Sequence, residues 1–82
     1  MSIPARVRWR CRRGTKELDA LLGRFLEQGY PQLSADQREA FEELLDQQDP
    51  DLAAWLWGGE PPPSKWADLI YRIRADSGVH PA

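Results

Sequence analysis

Residues 16–28, KELDALLGRFLEQ, set the architecture of this chain. Leu18, Leu21, Leu22, Phe25 and Leu26 fall at i, i+3, i+4, i+7 and i+8, which is one face of a helix. Gly29 follows where a C′ glycine would end that helix. Tyr30-Pro31 then hinders continuation, because the residue before a proline avoids the α region.

Downstream, the same punctuation repeats three times. Ser34 with Gln37 three residues on is a capping-box pattern, and Phe41, Leu44 and Leu45 supply the buried stripe behind it. Glu39, Glu42 and Glu43 are expected to face water. Asp49-Pro50 reads as N-cap and N1 of a third helix. Leu52, Ala53, Leu56 and Trp55 line it, and Gly58-Gly59 stop it. Pro61-Pro62-Pro63 makes a stiff loop, and Ser64 is placed to cap a final helix. There Trp66, Leu69, Ile70 and Ile73 repeat at i, i+3, i+4 and i+7. Ser77 to Ala82 reads as a flexible tail.

Upstream, two periods compete. Val7, Trp9 and Cys11 alternate with Arg6, Arg8, Arg10 and Arg12, as in a strand. Ile3, Val7 and Cys11 also lie at i, i+4 and i+8, with Pro4 suited to a first turn. No other segment offers a strand partner, and a lone strand leaves its backbone groups unpaired, so a short helix is expected. The fold class is therefore all-α, a single small domain over residues 1–82 made of about five short helices, with 77–82 as its tail.

Eighty-two residues bury only about 60–65% of the surface the unfolded chain exposes, enough for one modest core. The composition, 41% apolar and 29% charged with four tryptophans, is that of a globular chain and argues against disorder. The net charge of −2 conceals an asymmetry. Residues 1–16 carry Arg6, Arg8, Arg10, Arg12, Arg13 and Lys16 with no acid, a net of +6; the rest carries five basic and thirteen acidic residues, a net of −8. One end should attract anionic surfaces. Cys11 is the only cysteine, so neither an intrachain disulfide nor a cysteine-built zinc site can form, and a reducing, cytoplasmic location fits. No run approaches the roughly 18 apolar residues of a membrane span. The basic N-terminus lacks the apolar core of a secretory signal. A transit-peptide reading is set aside because the most distinctive motif lies within the same basic stretch.

Catalytic constellations are not evident. His80, the one histidine, falls in the tail without a neighbouring partner. Glu39, Glu42, Glu43 and Asp46 stand at helical spacing, which favours a solvated face over a cation site. There is no phosphate-cradling glycine loop, no nucleophile elbow and no Ser/His/Asp set. The chain is expected not to be an enzyme, and no cofactor is expected to be bound stably.

The segment Arg12-Arg13-Gly14-Thr15-Lys16-Glu17-Leu18-Asp19 carries the functional signal. Gly14 stands between the first helix and the long second one, where it permits positive φ and close approach of another backbone. Glu17 and Asp19 sit in the first helical turn, where negative charge complements exposed N–H groups. A linker glycine followed by an ordinary helix start would explain these residues without any partner. Arg13-Gly14-Thr15-Lys16-Glu17 also fits the RGxxE signature. With Cys11-Arg12 before it, Leu18-Asp19 after it, then Phe25, Tyr30, Leu33-Ser34, Phe41, Leu44-Leu45, Asp49-Pro50-Asp51-Leu52 and Trp55-Leu56 in order, the chain resembles the SdhE (YgfY-like) family. The likeness runs from about Val7 to Leu56 and is poor over the Pro61–Pro63 loop and the last helix.

That resemblance implies a helical assembly factor that binds the flavoprotein subunit of succinate dehydrogenase, and in some bacteria that of fumarate reductase. It implies promotion of covalent FAD attachment to a histidine of that subunit, with the FAD belonging to the client. By position it assigns Arg13, Gly14 and Glu17 to partner contact, and the surrounding Trp9, Arg10, Arg12 and Lys16 are expected to join them. A helper without catalytic groups acts by stabilising the client conformation that aligns the reactants. Trp9 reads equally as core or as interface anchor. Two competing readings are a nucleic-acid module built on the arginine-rich segment and a generic helical adaptor. The acidic remainder of the chain opposes the first, so no nucleic acid is expected as partner, and no membrane insertion; the protein is expected to be a monomer.

Overall fold

A computed structural model describes residues 3–77. They form five α-helices and no strand: α1 Ala5–Arg10, α2 Lys16–Gln28, α3 Ala35–Leu44, α4 Asp49–Leu56 and α5 Ala67–Ser77. Short 3₁₀ turns at Tyr30–Gln32 and Ser64–Trp66 lead into α3 and α5.

Helix α2 has the bounds its periodicity predicts, and all five of its apolar residues are buried. It packs chiefly against α5, which in turn meets α4. Leu22, Phe25, Phe41, Leu44, Leu52, Leu56, Ile70 and Ile73 lose all their exposure and join one continuous core. The Phe25 and Phe41 rings meet at 5.3 Å between centroids, with Tyr30 5.7 Å from Phe41. Trp66 is buried, and Trp55, half-buried, stacks on it at 5.7 Å.

The first segment is helical, which settles the two competing periods. Val7 and Cys11, one helical turn apart, face the core, and Ile3 packs beside them. Trp9 is thereby turned outward and is 75% exposed. A strand would have placed all three side chains of the alternation on one side.

Several local expectations need correction. Gly29 ends α2 with φ −107°, not in a left-handed conformation. It is small because a Cβ there would run into the Phe25 ring and the Asp76 carboxylate. Pro4 occupies the N-cap of α1, its carbonyl accepting from the amides of Val7 and Arg8 at 3.0 and 3.2 Å. The N-cap of α4 is Gln48, so Asp49 is the first helical residue and Pro50 the second. Ser64 starts a 3₁₀ turn and caps nothing; Pro63 stands at the N-cap position. Ser77 belongs to α5, and the rest of the expected tail, with His80, lies outside the described residues. Ser34 and Gln37 do form the reciprocal capping box, at 3.2 and 2.9 Å.

Candidate functional site

The loop from Arg12 to Thr15 is held from inside. The Arg13 amide donates to Asp19 Oδ1 at 2.6 Å, so the first turn of α2 reaches back to fix the loop that precedes it. The Arg13 side chain, only 15% exposed, turns away from solvent. Its Nη1 donates to the Leu45 and Arg10 carbonyls at 2.8 and 3.2 Å, and Nη2 to the Gln47 carbonyl at 2.7 Å. Nε donates to Asp49 Oδ1 at 2.8 Å. The α3–α4 turn leaves carbonyls that no helix satisfies, and a cation at a helix C-terminus also complements its dipole. Arg10 adds a bond from Nη2 to the Glu42 carbonyl at 2.9 Å and an ion pair with Asp46.

Gly14 is the exposed apex of this loop. Its φ is +87°, and a Cβ added there would meet nothing within 4 Å. The backbone conformation demands glycine while the space around it stays open. Arg12, Lys16 and Glu17 flank it, all exposed, their side chains without a hydrogen bond or ion pair among the described residues. Trp9 adds an exposed ring on α1.

The seven residues selected from sequence thus divide. Gly14, Glu17, Arg12, Lys16 and Trp9 are presented outward; Arg13 and Arg10 are engaged in holding the loop against α3 and α4. Asp19 and Asp49, which sequence reasoning noted only as helix-start residues, complete that support. Nothing in the local pattern pairs residue 13 with residue 49.

The arginine-rich segment is also less cationic in the fold than in the sequence. Arg6 pairs with Glu42 through two bonds of 3.1 and 3.0 Å, and Arg8 with Glu27 at 2.8 Å. With Arg10 on Asp46 and Arg13 on Asp49, four of the six cations between residues 6 and 16 meet a carboxylate. Glu42, expected to face water, is therefore partly buried and ion-paired. No cluster of three or more acidic, histidine or cysteine side chains arranged for a metal occurs among the described residues. Burial pushes the Cys11 thiol up to about 12 even though Arg13, Arg10 and Arg8 pull it down. The thiol stays protonated at neutral pH and is not a nucleophile. No described helix is long and apolar enough to cross a membrane.

The fold and site define a small all-helical protein whose scaffold braces one exposed loop. The comparisons with known proteins agree. Residues 5–77 match the Sdh5 family, described as the flavinator of succinate dehydrogenase, and the chain belongs to that family. It is 49% identical over 70 residues to the FAD assembly factor SdhE of Coxiella burnetii, covering 84% of this chain and 85% of that protein. The FAD assembly factor SdhE of Legionella pneumophila strain Paris is 41% identical over 70 residues, covering 85% and 89%. That of Yersinia pestis is 42% identical over 72 residues, covering 87% and 82%.

Proposed function

We propose that this protein binds the flavoprotein subunit of succinate dehydrogenase through the Arg12–Glu17 loop and promotes covalent attachment of FAD to it. The observation that carries this reading is the loop itself. Arg13 and Asp19 hold Gly14 and the Glu17 side chain in one conformation that serves no contact among the described residues. Such preorganisation lowers the cost of ordering a contact surface on binding.

Each residue then has a role. Gly14 lets the client backbone come close, and Glu17 accepts hydrogen bonds from client donors. Arg12 and Lys16 meet client carboxylates, and Trp9 supplies an apolar anchor. Arg13 and Arg10 act through the loop they hold. The flavin supplies the electrophile and the client supplies the histidine, so this chain contributes no catalytic group and works by selecting the client conformation in which the two are aligned. The protein acts in the cytoplasm as a monomer, holds no FAD of its own, and serves the flavoprotein of fumarate reductase where that enzyme is present. A nucleic-acid reading is weaker than the sequence alone made it, because Arg10 and Arg13 are engaged with α3 and α4.

Cells lacking the native factor, complemented with each variant and read by in-gel flavin fluorescence of the flavoprotein subunit, test the proposal. Glu17→Ala alters an exposed side chain and should leave the unfolding midpoint near its normal value, apart from the small loss of a first-turn charge, while abolishing fluorescence. Gly14→Arg and Gly14→Ala share the same backbone strain, so a greater loss with arginine measures the partner contact. Full restoration by Glu17→Ala and Gly14→Arg would overturn the assignment.

A further inference from the structure

A groove runs between α1 and α2 and opens beside the Gly14 loop, its lining including Trp9, Arg12, Asp19, Gly23 and Leu26. Gly23 lies in the interior of α2, where glycine weakens a helix relative to alanine. Nothing among the described residues asks for it. Its φ is not positive, and a Cβ there would meet no atom within 4 Å. Leu26 is buried beneath the groove, whereas Trp9 is 75% exposed along it. Arg12 is exposed, and its side chain makes no hydrogen bond or ion pair among the described residues.

We infer that this groove receives an acidic segment of the flavoprotein client, its backbone crossing Gly23 against the Trp9 ring and one of its carboxylates meeting Arg12. The inference rests on the client assignment above and extends the contact surface from the loop along the α1–α2 face. Three observations support that occupant. The groove is continuous with the loop through Arg12 and Asp19. Its unpaired cation selects a carboxylate, and the open space over Gly23 admits a main chain where a side chain would obstruct it.

The test is a titration of the full chain against the purified succinate dehydrogenase flavoprotein prepared without FAD, at several salt concentrations, alongside denaturant unfolding of each variant. Gly23→Gln should raise the unfolding midpoint, since glutamine is the better helix former, yet weaken client binding by about tenfold or more. Trp9→Ala should weaken binding with little change in midpoint. Arg12→Gln should reduce the salt dependence of the affinity. If Gly23→Gln and Trp9→Ala bind like the unaltered protein while Glu17→Ala does not, the groove is overturned and the loop assignment survives. An unchanged salt dependence for Arg12→Gln overturns the acidic occupant. Should Gly23→Gln instead abolish a self-dimer seen by sedimentation and leave client binding intact, the occupant is a second copy of the chain and the inference fails. Failure of the unaltered protein to bind the flavoprotein removes the client assignment itself.

Discussion

Arg13 joins three parts of the chain through one planar group. It satisfies the Leu45 and Gln47 carbonyls, pairs with Asp49, and through its own amide is tied to Asp19. Arg13→Ala should therefore destabilise the protein by about 2–3 kcal/mol, because the carbonyls and the Asp49 carboxylate lose their donors. Arg13→Lys should recover only part of that, since an ammonium cannot reproduce the fork. Denaturant midpoints check both. Cys11 gives a second prediction at this scale. Its thiol ionises near 8.5 in an unfolded chain and at about 12 in the folded one. The folded state thus holds the proton more tightly, and its stability from this group is complete below pH ~8.5 and is lost as pH rises toward about 12. Cys11→Ala should flatten that alkaline decline, and iodoacetamide at pH 8 should label the native protein far more slowly than the denatured one.

Among the helices, α2 serves two sides at once. Its inner face anchors the core, and Leu22→Ala should cost about 2–5 kcal/mol, as should Leu56→Ala from α4, both residues being fully buried. An unchanged midpoint in either variant would place the core elsewhere. Its outer face carries Gly23 with free space above it, so Gly23→Ala should stabilise by about 0.5–1 kcal/mol in the same assay. Opposite signs from residues 22 and 23 are the signature of a helix whose two faces answer to different demands. Helix α1 shows why its period could not be read locally: six residues offer too few repeats to separate two from 3.6. Only Val7 and Cys11 docking on the core, with Trp9 turned out, decides between them.

Taken whole, the molecule brings its two oppositely charged parts together. Arg6, Arg8, Arg10 and Arg13 pair with carboxylates of α2, α3, α4 and the α3–α4 turn, so the +6 of residues 1–16 does not survive as a +6 surface. Self-association driven by head-to-tail charge attraction between copies is accordingly not expected. Sedimentation velocity at low salt should give one species of 9.4 kDa; a dimer that dissociates with added salt would show that the intramolecular pairing is incomplete.

Periodicity and caps determined the helices, because spacing, prolines and capping side chains act within a few residues of one another. The bounds of α2, the capping box at Ser34 and the buried stripes of α2 to α5 follow from such local rules. The resemblance at Arg13-Gly14 and Glu17 rests on one contiguous loop and helix start, so the segment that the structure leaves exposed at Gly14 and Glu17 could be singled out from sequence. Tertiary structure alone decided what Arg13 and Arg10 do, as their partners at residues 42–49 lie more than thirty positions away and carry no local signal. It also decided that Gly29 is a packing glycine, because Asp76 comes to it from the far end of the chain. Long-range proximity depends on how helices dock, and docking is governed by buried faces as a set rather than by any single motif.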